Sequence, residues 1–225
     1  MELIVDAGAR DAAVGLSARG QLQWRSGALD AREHTRQMLP ALLDGLQTLS
    51  LDMKDIEAVV VAIGPGPFSG LRVAVSLAKG LAVGLNARTV GVSTLEAEAW
   101  RCLPSQSPVR PVVSAGRTGF VTSSFQWTGN EWSVMEEARF LDADCGGCFS
   151  LPERFCGDVA ELCDAGGWEK QSAEPHTATA VMSRLEAIAA LGWRRLAAGI
   201  STPVAELQPF YLRTPHITIA RDRRP

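Results

Sequence analysis

Residues 64–72 read Gly64-Pro65-Gly66-Pro67-Phe68-Ser69-Gly70-Leu71-Arg72. A glycine-rich turn at a helix start is a place where phosphate can bind, because the free N–H groups there attract anions. A Walker-type loop ends in Gly-Lys-Ser/Thr, however, and this one ends Phe-Ser-Gly-Leu-Arg, so it is not a P-loop. The cysteines offer a second chemistry. Cys145-Gly146-Gly147-Cys148 could form half of a zinc site, with Cys156 and Cys163 as the remaining ligands. That second pair is too widely spaced for a knuckle, and His34, His176 and His216 lie far off in sequence. Reduced, unpaired thiols are therefore expected, and no metal is assigned. Serines and threonines are plentiful, but nothing singles one out as a nucleophile beside a base.

The elements around the loop must hold it. Ala58-Val59-Val60-Val61-Ala62-Ile63 is an uncharged run that ends in Gly-Pro, as a buried strand reads. Proline presets φ and glycine admits conformations other residues avoid, so the turn after it is tight and fixed. Ser69 is placed to cap the following helix, with Gly70 in its first turn. From 71 to 85 only Arg72 and Lys79 are charged. Gly70, Ala74, Ala78 and Ala82 recur at every fourth position, a shallow ridge that another helix can approach closely. Leu71, Val75 and Leu81 are assigned to the opposite face, against the sheet. A helix apolar all round must be covered on all sides. The expected partner surface is therefore Leu71, Ala74, Val75, Ala78, Leu81, Ala82 and Leu85, joined by Met38 and Leu42 of a helix over 32–50. The plain alternative is burial of the whole strand–loop–helix unit inside one chain.

A chain of 225 residues can bury a real core and hold two lobes of about a hundred residues each. Apolar residues make up 46% and charged ones 21%, ordinary for a globular protein. The net charge of −3 argues against a strong electrostatic footprint for nucleic acid. Met1-Glu2-Leu3-Ile4-Val5-Asp6 has no basic region and is not a signal peptide. The 71–85 helix reads as too short and too interrupted to span a bilayer. A cytoplasmic protein without membrane contact is expected.

Taken in order, a strand at 3–5 is followed by a hairpin of 12–18 and 21–27 around Arg19-Gly20. A helix over 32–50, the strand at 58–63, the helix from 70, a strand at 88–92 and a helix at 94–102 complete the first half. This order resembles the ribonuclease H-like unit of the actin, sugar kinase and Hsp70 superfamily, which typically duplicates it. Pro104-Ser105-Gln106-Ser107-Pro108 is the most linker-like segment. It sets expected bounds of 1–104 for an N-terminal lobe, 105–216 for a more degenerate second lobe and 217–225 for a tail. The second lobe opens with strands at 109–114, 120–126 and 132–137. The period is lost from 142 to 178, where only 153–156 looks like a strand. A last helix is expected over 177–191, closed at Gly192.

Gly-Pro-Gly-Pro-Phe-Ser-Gly-Leu-Arg closely resembles the Gly-Pro-Gly-Ser-Phe-Thr-Gly-Leu/Val-Arg signature of the bacterial TsaB (YeaZ) family. Arg32-Glu33-His34-Thr35, Gly91-Val92-Ser93-Thr94-Leu95 and Pro209-Phe210-Tyr211-Leu212-Arg213 agree with that family in order. The resemblance implies an accessory subunit in making the threonylcarbamoyladenosine modification of tRNA. In the wider superfamily two Asp-x-Gly turns hold the nucleotide phosphates and their metal. Here Asp6-Ala7-Gly8 keeps the first, with Ala9 where a hydroxyl residue commonly follows, and the second reads Ser114-Ala115-Gly116-Arg117, so its acid is missing. Asp6, Gly8 and Arg117 are thus a degenerate nucleotide site, or Asp6 simply caps a turn. Phosphoryl chemistry needs held Mg²⁺ and neutralised phosphate charge, and one carboxylate serves that poorly.

The catalytic TsaD family carries a His-x-x-x-His pair on a helix, which His34, His176 and His216 cannot form. The expected role is a non-catalytic scaffold for a TsaD-like enzyme, with a TsaE-like ATPase also implied. No cofactor is required by this subunit; ATP or ADP and a metal ion belong to the partners. tRNA is met only through the complex, and the chain alone is expected to pair with itself. The rivals are a nucleotide-dependent enzyme of the superfamily (a phosphotransferase or protease) and a stand-alone regulatory homodimer.

Overall fold

The computed structural model describes residues 1–8, 11–30, 33–102, 105, 107–116, 119–141, 153–165 and 177–212. In chain order the elements are β1 (Glu2–Asp6), β2 (Ala13–Ala18), β3 (Gln21–Arg25), α1 (His34–Thr48), β4 (Ala58–Gly64), α2 (Phe68–Leu85), β5 (Arg88–Ser93) and α3 (Thr94–Trp100). They continue with β6 (Val109–Ser114), β7 (Phe120–Trp127), β8 (Trp132–Leu141), β9 (Arg154–Gly157), α4 (Val159–Asp164) and α5 (Arg184–Ala197).

Two sheets result. The first has the order β3-β2-β1-β4-β5, with β4 parallel to both β1 and β5 and the β1–β2–β3 meander antiparallel. The second has the order β8-β7-β6-β9, again a meander followed by a parallel strand. The second sheet thus repeats the first four positions of the first. This is the duplicated ribonuclease H-like α/β architecture expected from the element order.

The central strands are buried on both faces, as their continuous apolar runs require. Successive strand side chains point to opposite faces. Leu3, Val5, Val59 and Val61 meet Met38, Leu42 and Leu46 of α1 and Ala74, Val75, Ala78 and Ala82 of α2 on one side. Ile4, Val60, Ala62, Val90 and Val92 meet α5 and Ala97 of α3 on the other.

That second layer corrects the expected lobe bounds. α5, from the far end of the chain, closes the first sheet, with Leu185, Ile188 and Leu191 in its core. Residues beyond it also return: Thr202 N–H donates to Thr89 O and Phe210 N–H to Ile63 O, both at 2.7 Å. Leu207 is buried with α1 and α2. The stretch 105–216 is therefore not one unit, and Pro104 lies outside the described residues.

Three local expectations also change. α5 starts at Arg184 behind Ser183, whose hydroxyl accepts from Glu186 N–H in a reciprocal capping box. It runs through Gly192 rather than ending there. A Cβ at Gly192 would come within 2.4 Å of Val60 Cγ1, so this glycine marks helix–strand contact and not a stop. α4 occupies part of the stretch where periodicity fails, and six residues are too few to show one. Finally, α2 begins at Phe68 with Pro67 before it; Ser69 is inside the first turn and makes no capping bond.

Candidate functional site

Two sequence motifs meet at the carboxyl end of β4. The Asp6-Ala7-Gly8 turn after β1 packs directly on the loop into α2. A Cβ at Gly66 would lie 2.6 Å from Gly8 O, and one at Gly70 would lie 2.7 Å from Ala7 O. Glycine is needed at both because backbone touches backbone. Gly64 has φ 107°, in the region that favours glycine. The loop is therefore a seat for the β1 turn, not a phosphate cradle.

The start of α2 also gathers the C-terminal motif. The Phe68 and Tyr211 rings are 4.9 Å apart between centroids. The Arg72 guanidinium carbon sits 3.8 Å over the Phe68 ring, and Arg72 Nε donates to the Tyr211 hydroxyl at 3.3 Å. Sequence reading found each motif separately and had no signal that they touch.

Asp6 is buried, and both of its oxygens are engaged. Oδ1 accepts from Gly8 N–H at 2.9 Å, and Oδ2 accepts from Arg184 Nε at 2.7 Å. Arg184 Nη1 reaches Glu98 Oε1 at 3.2 Å, and Glu98 Oε2 accepts from Arg101 Nη1 at 2.5 Å. Burial by itself would lower the Arg184 pKa. The Asp6 and Glu98 carboxylates, with Asp158 nearby, outweigh it and hold the pKa above its ordinary value. The first acidic turn of the superfamily pattern thus carries its own counter-cation.

Beside it opens a cleft of about 620 Å³ whose lining includes His34, Gly70, Ser114, Asp158 and Arg184. From the second sheet, the Ser114 N–H donates to Asp158 Oδ2 at 2.7 Å. An acid therefore stands near the turn where Ala115 replaces one, supplied by the residue before α4. Sequence reading missed it because it missed α4. Arg117 lies outside the described residues, as do Cys145, Cys148, His176 and His216. Among the described residues no cluster of three or more His, Cys, Asp or Glu side chains is disposed to hold a metal.

His34, at the first position of α1, borders both this cleft and the groove between α1 and α2. It is 5% exposed, and its Nε2 has no hydrogen-bond partner among the described residues. Burial lowers its pKa, against the smaller opposing pull of Asp30 and Asp11.

The expected partner surface faces the wrong way. Gly70, Leu71, Ala74, Val75, Ala78 and Ala82 are all buried in the chain's own core, as are Met38 and Leu42 of α1. Leu81 and Leu85 are half-buried. At 100° per residue, positions 70, 71, 74, 75, 78 and 82 share one arc of about 140°. The small ridge and the leucine–valine stripe are thus neighbours, and both lie on the sheet. What α2 leaves outward is Val73, Ser76, Leu77, Gly80, Val83 and Gly84, with Val83 71% exposed. A small-residue ridge does exist here, at Ser76, Gly80 and Gly84: a Cβ on either glycine would meet nothing within 4 Å. α1 adds Leu39 and Leu43, 40% and 50% exposed. A groove of about 420 Å³ runs between the helices past Leu39, Arg72, Val73 and Leu77. By length and composition α2 is long and apolar enough to cross a membrane, contrary to expectation, but its inner face is packed on the first sheet.

Residues 28–157 match the family model described as TsaD, tRNA N6-adenosine threonylcarbamoyltransferase. The tRNA threonylcarbamoyladenosine biosynthesis protein TsaB of Escherichia coli is 40% identical over 78 residues, 32% of this chain and 34% of that protein. A tRNA N6-adenosine threonylcarbamoyltransferase of Polynucleobacter asymbioticus is 32% identical over 131 residues, 57% of this chain and 36% of that protein. The chain spans about a third of the length of these curated relatives. The solved structure of YeaZ from Pseudomonas aeruginosa shares the fold, with a TM-score of 0.75 at 21% identity over 94% of this chain and 99% of that one. With more than half of its length inside the family model, the chain belongs to the family described as TsaD, resembles TsaB proteins over about a third of its length, and shares the YeaZ fold.

Proposed function

We propose that this chain is a non-catalytic scaffold subunit in the threonylcarbamoyladenosine modification of tRNA, and that it binds a TsaD-like enzyme through the outer faces of α1 and α2. The observation that carries this reading is an apolar strip around the Ser76–Gly80–Gly84 ridge in which Val83, Leu39 and Leu43 are exposed and Val73 and Leu77 half-buried. Contiguous apolar surface of this kind marks contact sites, and small residues allow two helices to cross closely. With no partner present the same face pairs two copies of the chain. The TsaD-like enzyme transfers the threonylcarbamoyl group from its adenylate to tRNA. A TsaE-like ATPase completes the assembly, and ATP or ADP and a metal ion are held at those partners. tRNA is met only through the complex, in the cytoplasm.

The cleft supports a second, lesser role. Its size and the guanidinium groups of Arg101 and Arg184 in its lining favour residual nucleotide binding beside the Asp6-Ala7-Gly8 turn, with Arg117 as a further candidate contact. The Asp6–Arg184 pair argues against a metal-dependent reaction there, since a cation would have to displace a buried guanidinium.

The test is co-purification of the native protein from its own cell, alongside an assay of the pure chain. A TsaD-like partner should be recovered with the wild type and lost with Val83→Arg. The pure chain, given ATP, Mg²⁺, threonylcarbamoyl-adenylate and tRNA, should give no turnover. Turnover without any added subunit would overturn the scaffold reading.

A further inference from the structure

Two thiols from distant parts of the chain share one acceptor. Cys102, just after α3, donates to Glu98 O at 3.6 Å, and Cys156, on β9, donates to the same oxygen at 3.5 Å. Both residues are 5% exposed and lie in one apolar cluster with Leu95, Ala99, Val109 and Val113. α3 is the layer between the sheets: Ala97 faces the first core, while Leu95 and Ala99 face the second. The pair thus stands where α3 meets the edge strand of the second sheet, and the scaffold reading leaves it without a role.

We propose that Cys102 and Cys156 form a reversible thiol–disulfide pair, with hydrogen peroxide as oxidant. The Cys102 thiolate attacks one peroxide oxygen, so that an S–O bond forms, the O–O bond breaks, and the departing hydroxide takes up the thiol proton as water. The Cys156 sulfur then attacks the sulfenic sulfur of Cys102. The S–S bond forms, the S–O bond breaks, and the Cys156 proton leaves with the hydroxyl group as a second water. Two thiols are oxidised and one peroxide is reduced. A small dithiol reverses the step by exchange.

The roles divide by environment. The neighbouring Cys156 side chain holds the Cys102 pKa below its ordinary value despite burial. The same contact, together with burial, pushes Cys156 up. Cys102 is taken as the attacking thiolate and Cys156 as the resolving thiol, since the thiolate is the reactive form, and the opposite order gives the same disulfide. The bond would close a loop of roughly fifty residues and tie α3 to β9, which restrains the unfolded chain. Glu98, whose carbonyl serves both thiols, also grips Arg184 through its carboxylate, so the link would stiffen the wall of the cleft.

The experiment treats the native full-length chain with hydrogen peroxide, blocks remaining thiols after unfolding, and maps the peptides by mass. Cys163, half-buried on α4, reports that oxidant reached the protein. The expected result is a Cys102–Cys156 cross-linked peptide that dithiothreitol removes. It should come with a rise of several degrees in the unfolding midpoint of the oxidised form. A variant with Cys145, Cys148 and Cys163 changed to serine should lose two mass units on oxidation. If that variant does not fold, the peptide map of the unaltered chain decides alone. Oxidised Cys163 beside a Cys102 and Cys156 that both stay alkylatable, or a disulfide joining either one to another cysteine, would overturn the proposal.

Discussion

Arg184 donates to the Asp6 carboxylate at 2.7 Å across 178 residues of chain, with 12% of the Arg184 side chain and 5% of the Asp6 side chain exposed. Removing one member of such a pair strands the other's charge. Arg184→Ala should therefore cost about 3–5 kcal/mol of stability in urea unfolding. Asp6→Asn combined with Arg184→Met should recover much of that loss. A single variant as stable as the wild type would mean that the two groups are not desolvated together.

The outer face of α2 is tested by contrast with its inner face. Gly80→Trp and Val83→Arg should leave circular dichroism unchanged and abolish association, read by light scattering or by capture of a TsaD-like partner. Ala78→Trp and Ala74→Arg should instead unfold the chain, because their positions are buried against the sheet. If the outer variants associate with unchanged affinity, the contact surface lies elsewhere.

Two glycines should respond in opposite directions to the same change. Gly66→Ala drives a methyl into Gly8 O and should cost about 1–3 kcal/mol. Gly80→Ala adds a methyl to open space on a helix and should gain roughly 0.5–1 kcal/mol. Chemical denaturation of the two variants reads both values.

His34 makes stability fall with acid. Its folded pKa is lowered from an ordinary value of 6.5, chiefly by burial, so the folded chain binds fewer protons than the unfolded one. The contribution is full above pH 6.5 and is lost as pH falls from that value through the lowered folded pKa. His34→Gln should flatten the stability curve between neutral and mildly acid pH. An imidazole NMR titration placing His34 at or above 6.5 would contradict this.

The parts of this molecule that were legible in advance are those with long, uninterrupted signals. The Ala58–Gly64 strand reads as buried because it has no charge, and the element order of the first half follows from its periods. α4 was illegible because six residues carry no period, and with it went Asp158. The face of α2 was misjudged for a geometric reason. Residues at every fourth position drift by 40° per step, so a small-residue row and an adjacent bulky row can both fit on one buried arc. Arg184 carried no mark at all, since a lone arginine beside a serine reads as solvated surface. Only the fold brings it to Asp6.

α5 has a consequence for how the chain comes into being. Ile4, Val60, Ala62 and Val92 are covered by a helix that follows every strand of their sheet in the chain. During translation the first sheet can gain its α1–α2 side early, but its other side stays bare until residues 184–197 have left the ribosome. Domains generally fold as units once their residues are available. Here the first unit waits for residues 184–197, so a nascent chain halted before them would present an uncovered sheet to chaperones.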